Sequence, residues 1–301
     1  MLRILANDGL EASGVQALQE KGFEVVTDHY DVPELLEQIK GFDALIVRSA
    51  TKVRKDIIDA AKGGALKLII RAGVGVDNID VAYAEENGFA VRNTPNASSA
   101  AVAELALGHM LTLARFIHAA NVTMKQGEWN KKHYQGTELA GKTLGLIGFG
   151  RIAKSLGEKA HGLGMRVLYT NRRGPVECPP HFAYTELQEL LKQSDYVSLH
   201  IPAAKEPVIG HNELALMKKT AYIINTARGG VVDETALVEA LDAGVLAGAA
   251  LDVFVEEPTK NEAVLKHSKI SLTPHVGAST DEAQERIGAE VTQVVLTFFN
   301  V

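Results

Sequence analysis

The sequence predicts an α/β fold made of two doubly wound parallel sheets. Short apolar runs alternate with helical patterns along all 301 residues, and such alternation is typical of βαβ units with parallel strands and right-handed crossovers. The runs fall into two successive sets, which predicts two domains. The first set is Leu2–Ala6, Phe23–Val26, Ala44–Val47, Leu66–Ile70 and Phe89–Val91, and the second is Thr143–Ile147, Arg166–Tyr169, Tyr196–Leu199, Ala221–Ile224, Gly248–Leu251 and Ile270–Leu272.

Two further helical patterns flank the second set. After the turn Asn93–Asn96, an Ala- and Leu-rich pattern runs from about Ser99 to Lys125 and stops at Gly127. A single helix of this length would extend about 40 Å at 1.5 Å per residue and could bridge the two domains. The last segment, Thr280–Val301, also has helical periodicity.

Composition and charge exclude several classes of protein. A net charge of −6 argues against nucleic acid or an anionic membrane as a partner. The single cysteine, Cys178, forms no internal disulfide and no Cys-rich zinc site, and His109 and His118 do not have the i,i+4 spacing of helical metal ligands. No apolar run approaches the roughly 18 residues of a membrane helix, and the N-terminus has no signal-peptide layout. We therefore predict a cytoplasmic protein without a metal.

A glycine-rich turn in the second set predicts a nucleotide site. Gly148-Phe149-Gly150-Arg151-Ile152-Ala153 lies between an apolar strand and a helical pattern and matches the G-x-G-x-x-G/A dinucleotide motif. In that motif Gly148 makes the tight turn, Gly150 lets the backbone approach a pyrophosphate, and Ala153 lets helix and strand pack closely. The helix N-terminus offers unpaired N–H groups to the phosphates. The second domain is therefore predicted to be of the Rossmann type.

Three later segments place charged residues at the ends of predicted strands, where ligands bind in doubly wound sheets. They carry Arg228, Glu257 and His275. Hydride transfer from a secondary alcohol needs a histidine to take the hydroxyl proton, a carboxylate to orient that histidine, and an arginine to hold the substrate carboxylate. Taken singly, each residue has a structural explanation, an ion pair or a strand-end cap. Together, beside a dinucleotide motif, they favour catalysis.

The sequence also resembles a known family. The segments Arg71–Asn78, Gly148–Ala153, Thr226–Gly230 and Pro274–Thr280 are similar to motifs of the D-isomer-specific 2-hydroxyacid dehydrogenases. Within that family, the phosphoglycerate dehydrogenase branch is most similar, on the segments Asn93–Asn96, Gly127–Trp129, Gly136–Thr143 and Ala249–Phe254. The resemblance covers nearly the whole chain.

This resemblance implies an activity and a domain arrangement. The activity is hydride transfer between NAD and a D-2-hydroxy acid, with Arg228, Glu257 and His275 as the catalytic residues and 3-phosphoglycerate as the substrate that is oxidised. A flavodoxin-like substrate domain would comprise residues 1–94 and 280–301, and the dinucleotide domain residues 95–279. A homodimer or homotetramer is implied. Longer members carry C-terminal regulatory domains, and because this sequence ends at Val301, we expect no regulation by such a domain.

The motif and the resemblance together assign ligand contacts. Those for the cofactor are Val74, Gly148, Gly150, Arg151, Ile152, Asn171, Arg172, His200, Ile201, Pro202, Thr226, Ala227, Arg228, Asp252, His275 and Gly277. Those for the substrate are Arg48, Ser49, Thr51, Val74, Gly75, Asn96, Arg228 and His275. A Gly-x-Gly loop after a strand exposes N–H groups to an anion, which supports Val74 and Gly75. Lys131 and Lys132 either reach a substrate phosphate from a partner subunit or form a solvated face.

One departure from the family pattern concerns the cofactor. About 20 residues past the glycines, where an acidic residue usually contacts the ribose hydroxyls, the chain has Asn171-Arg172-Arg173. An arginine there accommodates a 2′-phosphate. NAD remains the expected cofactor because the other motifs resemble NAD users, and NADP stays open.

Two other functions compete with this interpretation. The arginines favour an NADPH-dependent glyoxylate or hydroxypyruvate reductase, which needs no substrate phosphate. An NAD(H)-sensing scaffold like the corepressors that share this fold belongs to another class of protein. The intact Arg–Glu–His set argues against the scaffold.

Overall fold

Two parallel sheets organise the chain in the computed structural model, which describes residues 1–301. The first sheet contains β1 Arg3–Ala6, β2 Glu24–Val26, β3 Ala44–Val47, β4 Leu68–Arg71 and β5 Ala90–Asn93, in the order β2-β1-β3-β4-β5. The second contains β6 Thr143–Ile147, β7 Arg166–Thr170, β8 Phe182–Tyr184, β9 Tyr196–Leu199, β10 Tyr222–Asn225, β11 Gly248–Leu251 and β12 Ile270–Leu272, in the order β12-β11-β10-β9-β6-β7-β8. The predicted fold class is confirmed.

Twelve α-helices connect or follow these strands. They are α1 Ala12–Glu20, α2 Val32–Gln38, α3 Lys55–Ala61, α4 Val81–Glu86, α5 Ser99–Arg115, α6 Ile117–Lys125, α7 Arg151–Gly162, α8 Leu187–Gln193, α9 His211–Leu214, α10 Glu234–Asp242, α11 Glu262–Leu265 and α12 Asp281–Phe299. Two short 3₁₀ turns lie at Ile39–Gly41 and Lys131–His133. The chain divides into two units, Met1–Ser99 with Ala278–Val301, and Ala100–Gly277.

Each sheet carries a core on both faces. In the first unit, Leu5 and Leu45 belong to one buried cluster while their neighbours Ile4 and Ile46 belong to another. Successive side chains of a strand point to opposite faces, so both faces of the sheet are covered. This is why the strands appear in the sequence as continuous apolar runs rather than as alternating ones.

The structure corrects the prediction of one long helix from Ser99 to Lys125. Phe116 has a left-handed backbone with φ of 55°, and it separates α5 from α6, which are bent by 63°. A left-handed residue cannot continue the i→i−4 hydrogen bonding of a right-handed helix, and a single such residue leaves no mark on the apolar periodicity. No single helix is long and apolar enough to span a membrane, and only this bent pair passes when its two helices are counted together.

The strand β8 is a second difference, because the apolar pattern did not predict it. It is a three-residue edge strand that pairs only with β7. The other strands lie within about two residues of their predicted positions, for example β6 and β9 at their predicted bounds.

The order of strands in the second sheet fixes where a ligand can bind. From β6 the chain moves outward through β7 and β8, and then returns to the other side of β6 with β9. The strand order therefore reverses between β6 and β9. In doubly wound sheets the crevice at the carboxyl ends of the strands beside such a reversal is the usual ligand site.

Candidate active site

The glycine-rich turn lies at this reversal point, directly after β6. Gly148 has a φ of 85°, and a Cβ there would lie 2.5 Å from the carbonyl oxygen of His200, at the end of β9. Only glycine fits both requirements. Gly150 precedes α7 without a side-chain cap, and a Cβ at Gly150 would meet no protein atom within 4 Å. The N-terminus of α7 therefore has no side-chain cap and has open space beside Gly150, two features that suit an anion site.

The segment Asn171-Arg172-Arg173 follows β7 at the same edge of the sheet. The Gly148 N–H donates to the carbonyl oxygen of Thr170, the last residue of β7, at 3.0 Å. Asn171 is half-buried, whereas Arg172 and Arg173 are exposed. The residue in the position of the usual ribose-binding acid is thus an asparagine followed by two arginines.

Two buried polar atoms at this edge have no partner within the protein. The Nε2 atom of His200 lies 3.0 Å from Ser198 Oγ, but its Nδ1 atom has no hydrogen bond, and neither has Thr226 Oγ1. Burial lowers the pKa of His200 to about 3, so this imidazole is neutral. Buried polar groups are normally hydrogen-bonded, and these two leave bonding capacity for a polar ligand.

His275 and Glu257 form a close pair at the ends of the outer strands. The Nδ1 atom of His275 lies 2.7 Å from Oε2 of Glu257, and the two side chains are 38% and 37% exposed. The other oxygen of Glu257 accepts the backbone N–H of Phe254 at 3.1 Å. Because Nδ1 faces the carboxylate, the Nε2 atom of His275 is left for a ligand.

Arg228 belongs to the same cluster of charges. Burial acts to raise the pKa of Glu257, but the hydrogen bond and charge of His275, with a smaller contribution from Arg228, lower it overall. Arg228 donates from Nη1 to the carbonyl oxygen of Ala227 at 2.6 Å. The buried Asn225 holds this loop, since its side chain accepts from Ala227 N–H and donates to the Arg228 carbonyl oxygen.

The loop that carries Arg228 packs backbone to backbone on the loop that carries Glu257. A Cβ at Gly229 would overlap the carbonyl group of Phe254. A glycine is therefore required at this crossing, and the close approach explains why Arg228 contributes to the pKa of Glu257.

Asp252 anchors the segment that contains His275. The side chain is 1% exposed. Its Oδ1 accepts from Thr273 Oγ1 at 2.6 Å and from the Val276 N–H at 2.9 Å, and its Oδ2 accepts from the Gly277 N–H at 2.9 Å. The buried carboxylate thus holds the two backbone N–H groups that follow His275 and the Thr273 side chain that precedes it.

The remaining predicted substrate residues lie in the first unit, in loops after its strands. Arg48, Ser49 and Thr51 follow β3, Val74 and Gly75 follow β4, and Asn96 follows β5. The carboxyl ends of parallel strands meet at one edge of a sheet, so these loops share the edge of the first sheet.

Asp8, which the sequence interpretation missed, holds the loop after β3. Its carboxylate accepts the backbone N–H groups of Arg48 and Thr51 at 2.7 Å and 3.0 Å and the Thr51 hydroxyl at 2.5 Å. The Thr51 hydroxyl also accepts from Asn7 at 2.9 Å. The position of Asp8 just after β1, where the first strand reaches the ligand-binding edge of the sheet, could have indicated this role from the sequence. Asn78 completes the support by donating to the carbonyl oxygens of Arg48 and Thr51.

Asn96 is held in a similar way. Its backbone N–H and its side-chain amide donate to the two carboxylate oxygens of Glu290, on α12, at 3.2 Å and 2.8 Å. The partner lies 194 residues away in the sequence, which no local pattern indicates.

A known protein family matches more than half of this chain. The family model described as D-isomer specific 2-hydroxyacid dehydrogenase, NAD binding domain, matches residues 107–277. The chain belongs to this family. The resemblance drawn from the sequence motifs is confirmed, and residues 107–277 form the NAD-binding domain.

This chain is equally similar in sequence to two curated relatives. It is 45% identical over 300 residues to a D-3-phosphoglycerate dehydrogenase of Methanocaldococcus jannaschii, with 98% of this chain and 57% of the relative covered. It is also 45% identical over 300 residues to a hydroxypyruvate reductase of Thermotoga maritima, with 97% of each covered. The chain therefore spans little more than half of the first relative and nearly all of the second.

Solved structures of family members have the same fold. A D-lactate dehydrogenase from Aquifex aeolicus with NAD and lactic acid superposes with a TM-score of 0.85 at 30% identity, covering 100% of this chain and 96% of the other. An NADPH-dependent glyoxylate/hydroxypyruvate reductase from Sinorhizobium meliloti with NADP and malonate gives a TM-score of 0.87 at 29% identity, covering 99% and 93%. Both nicotinamide cofactors occur among these neighbours.

Proposed function

We propose that this chain is an NAD-dependent dehydrogenase that oxidises 3-phosphoglycerate to 3-phosphohydroxypyruvate and catalyses the reverse reduction. The observation that carries the proposal is the His275–Glu257 pair with Arg228 beside it. This pair lies at the same sheet edge as the glycine-rich turn after β6. A proton carrier, its orienting carboxylate and a guanidinium are the groups that this chemistry requires from the protein.

The residues at the sheet reversal fit a dinucleotide. The open space above Gly150 and the uncapped N-terminus of α7 suit a pyrophosphate, with Gly148, Arg151 and Ile152 completing the turn. The unpartnered atoms of His200 and Thr226 are available to polar groups of the same ligand. When bound, the nicotinamide of such a cofactor supplies or accepts the hydride.

The other cofactor contacts follow from the same placement. Asn171 and Arg172 would meet the adenosine ribose. Residues after the strand ends of the second sheet would line the nicotinamide half, namely Ile201, Pro202, Ala227, Asp252 and Gly277. Val74, in the first unit, is kept as a contact that the family resemblance implies. We assign Asp252 chiefly to holding the backbone at residues 276 and 277, because three donors already occupy its carboxylate.

His275 moves the proton in this proposal. In oxidation, Nε2 takes the hydroxyl proton of the substrate, and in reduction the same atom returns a proton to the carbonyl oxygen. Glu257 accepts the Nδ1–H hydrogen bond, fixes the tautomer that leaves Nε2 free, and stabilises the imidazolium. Arg228 holds the substrate carboxylate with two parallel N–H···O bonds.

The first unit supplies the rest of the substrate site in this proposal. The backbone N–H groups of Val74 and Gly75 would bind the carboxylate, and Arg48 and Ser49 would contact the distal part of the substrate. We assign Thr51 to supporting the loop, because its hydroxyl already has two hydrogen-bond partners. Asn96 would contact the substrate with the hydrogen-bonding capacity that Glu290 leaves, and Lys131 and Lys132 would reach the phosphate from a partner subunit.

Initial rates test the substrate directly. The assay compares 3-phosphohydroxypyruvate with hydroxypyruvate, each with NADH and with NADPH. We expect the highest kcat/KM for 3-phosphohydroxypyruvate with NADH. Equal or higher kcat/KM for hydroxypyruvate would contradict the phosphorylated substrate without contradicting the reaction type.

A second candidate is an NADPH-dependent reductase of glyoxylate or hydroxypyruvate. Arg172 and Arg173 favour it, because arginines after the second strand accommodate a 2′-phosphate. A relative named hydroxypyruvate reductase is as similar as the first relative. In the same assay this function predicts the highest kcat/KM for hydroxypyruvate or glyoxylate with NADPH. Tight NADH binding without turnover of any 2-oxo acid would instead support the corepressor-like scaffold.

We further propose that the protein is a cytoplasmic homodimer or homotetramer. The helix α6 has no buried residue, and Ile117, Met124 and Trp129 are 53%, 51% and 78% exposed in the single chain. Exposed apolar groups of this kind are typical of subunit contacts. Sedimentation equilibrium should give a mass of two or four chains, and Trp129→Ala with Met124→Ser should shift it towards the monomer.

A further inference from the structure

His109 is a buried histidine that none of the roles above uses. It lies on the inner face of α5 and is 4% exposed. Its Nδ1 atom is 3.0 Å from Ser271 Oγ, on β12, and its Nε2 atom is 3.0 Å from Thr273 Oγ1, directly after β12. The ring thus connects α5 to the strand that leads into His275.

The chemistry of the partners fixes the direction of these hydrogen bonds. Thr273 Oγ1 must donate to Asp252 at 2.6 Å, because an ionised carboxylate only accepts. The single hydroxyl proton is then used, so towards His109 the Thr273 oxygen can only accept, and the proton of the ring must be on Nε2. Burial lowers the pKa of His109 despite the charge of Asp252, so the ring is neutral and Nδ1 accepts from Ser271.

The hydrogen bonds continue from Thr273 through Asp252 to the backbone next to His275. Asp252 receives the Thr273 hydroxyl on the same oxygen that accepts the Val276 N–H, and its other oxygen accepts the Gly277 N–H. The N–H of His275 itself donates to the Thr273 carbonyl oxygen at 3.1 Å. The orientation of the Thr273 side chain and the placement of residues 275–277 are therefore linked.

We propose that His109 is a positioning residue for His275, acting through an ordered chain from Ser271 through His109 and Thr273 to Asp252. The inference rests on the proposed function, in which His275 carries the proton. His109 contacts neither substrate nor cofactor. It directs the Thr273 hydroxyl onto Asp252, and this keeps the Asp252 carboxylate in place to bind the N–H groups of Val276 and Gly277. These two residues follow the left-handed backbone of His275, which has a φ of 53°.

Variants that keep or remove the Nε2 donor test this role. His109→Gln keeps an amide donor near the Nε2 position, His109→Leu removes it, and His211→Leu, exposed at the start of α9, is the matched control. We expect His109→Leu to lower kcat for the 2-oxo acid by about 3- to 10-fold, the size of one neutral hydrogen bond, with KM changed by less than about twofold. His109→Gln should recover most of this loss, and His211→Leu should match wild type.

Two outcomes of these assays would overturn the inference. One is a folded His109→Leu protein with the wild-type kcat, and the other is His109→Gln as impaired as His109→Leu. Non-additivity gives an independent check, because members of one chain of hydrogen bonds are coupled. The double variant His109→Leu/Thr273→Val should be no worse than Thr273→Val alone, and additive losses would contradict the chain.

A measurement without turnover separates this inference from the proposed function. The ¹⁵N shifts of the His109 ring at neutral pH should show an uncharged imidazole with the proton on Nε2, because burial disfavours the charged ring. A proton on Nδ1, or a charged ring, would overturn the chain of hydrogen bonds. A proton on Nδ1 or a charged ring in an active wild type contradicts the positioning role alone. A wild type that reduces no 2-oxo acid contradicts the proposed function.

Discussion

The Nδ1 atom of His275 and the Oε2 atom of Glu257 lie 2.7 Å apart. Burial alone would raise the pKa of Glu257, but the bond to His275 and the positive charges around it lower the pKa overall. The carboxylate is therefore ionised at neutral pH. Because the shift is downward, the contribution of the pair to stability is present above the ordinary carboxyl pKa and is lost as the pH falls below it.

Glu257→Gln should lower kcat of the reduction. The carboxylate holds the Nδ1 atom of His275 at 2.7 Å and so orients the ring that carries the proton, whereas an amide is a weaker, uncharged acceptor. The kcat should therefore fall by about 10-fold, the lower end expected for a hydrogen bond to a charged group at a partly exposed site. Glu239→Gln is the matched control, because Glu239 pairs with His211 at 2.8 Å on the surface. An unchanged kcat for Glu257→Gln would make Glu257 structural.

Arg228→Lys should weaken binding of the acid selectively. A lysine keeps the charge but not the planar fork that binds a carboxylate with two hydrogen bonds. One hydrogen bond to a charged group corresponds to about 10- to 150-fold in affinity, so KM for the 2-oxo acid should rise within this range. Fluorescence titration should show a much smaller loss of NADH affinity, because the other assigned cofactor contacts remain, and Arg166→Lys, at an exposed position, should change neither constant. Equal losses for both ligands would indicate a folding defect rather than a lost substrate contact.

Asn171→Asp should shift the cofactor preference of the protein towards NADH. The new carboxylate accepts a ribose hydroxyl and repels a 2′-phosphate. The ratio of kcat/KM for NADH to that for NADPH should increase by about 10- to 150-fold, the range of one charged hydrogen bond. Asn212→Asp, exposed at the start of α9, is the control. A constant ratio would show that Asn171 does not face the ribose.

Gly229→Ala should disrupt the crossing of the two loops that carry Arg228 and Glu257. The added methyl group would overlap the Phe254 carbonyl, and the backbone must move to relieve it, which costs about 1–3 kcal/mol in free energy of unfolding. Gly108→Ala is the contrasting variant, because it lies in open space on α5 and should stabilise by about 0.5–1 kcal/mol. Urea unfolding measures both. A Gly229→Ala protein with wild-type stability and activity would contradict the role of the close approach.

Local sequence patterns predict most of the fold because the burial of each strand or helix requires apolar residues at regular positions within that element. The parallel strands are buried on both faces, so the apolar runs themselves marked β3, β6 and β9 at their observed bounds. The break at Phe116 escaped prediction because one left-handed residue does not change the apolar periodicity on either side of it. The strand β8 escaped because an edge strand of three residues carries too few apolar positions to form a pattern.

The residues that support the candidate site were harder to predict than those proposed to act in it. Arg228, Glu257 and His275 each follow a predicted strand, so the general rule for doubly wound sheets brings them to one edge. Their supports depend on contacts between distant segments. His109 meets Thr273 across 164 residues, and Asp8 meets Arg48 across 40. No periodicity encodes such pairs, and only the folded chain shows them.

The most direct test is the kcat of His275→Gln in the reduction of the 2-oxo acid. General acid–base catalysis by a positioned side chain contributes about 10²- to 10⁴-fold, so kcat should fall by a factor in this range while NADH affinity stays constant. His211→Gln, which removes an exposed histidine–carboxylate pair at 2.8 Å, should leave kcat unchanged. A His275→Gln protein that keeps a near-normal kcat would contradict the assignment of His275 as the proton carrier.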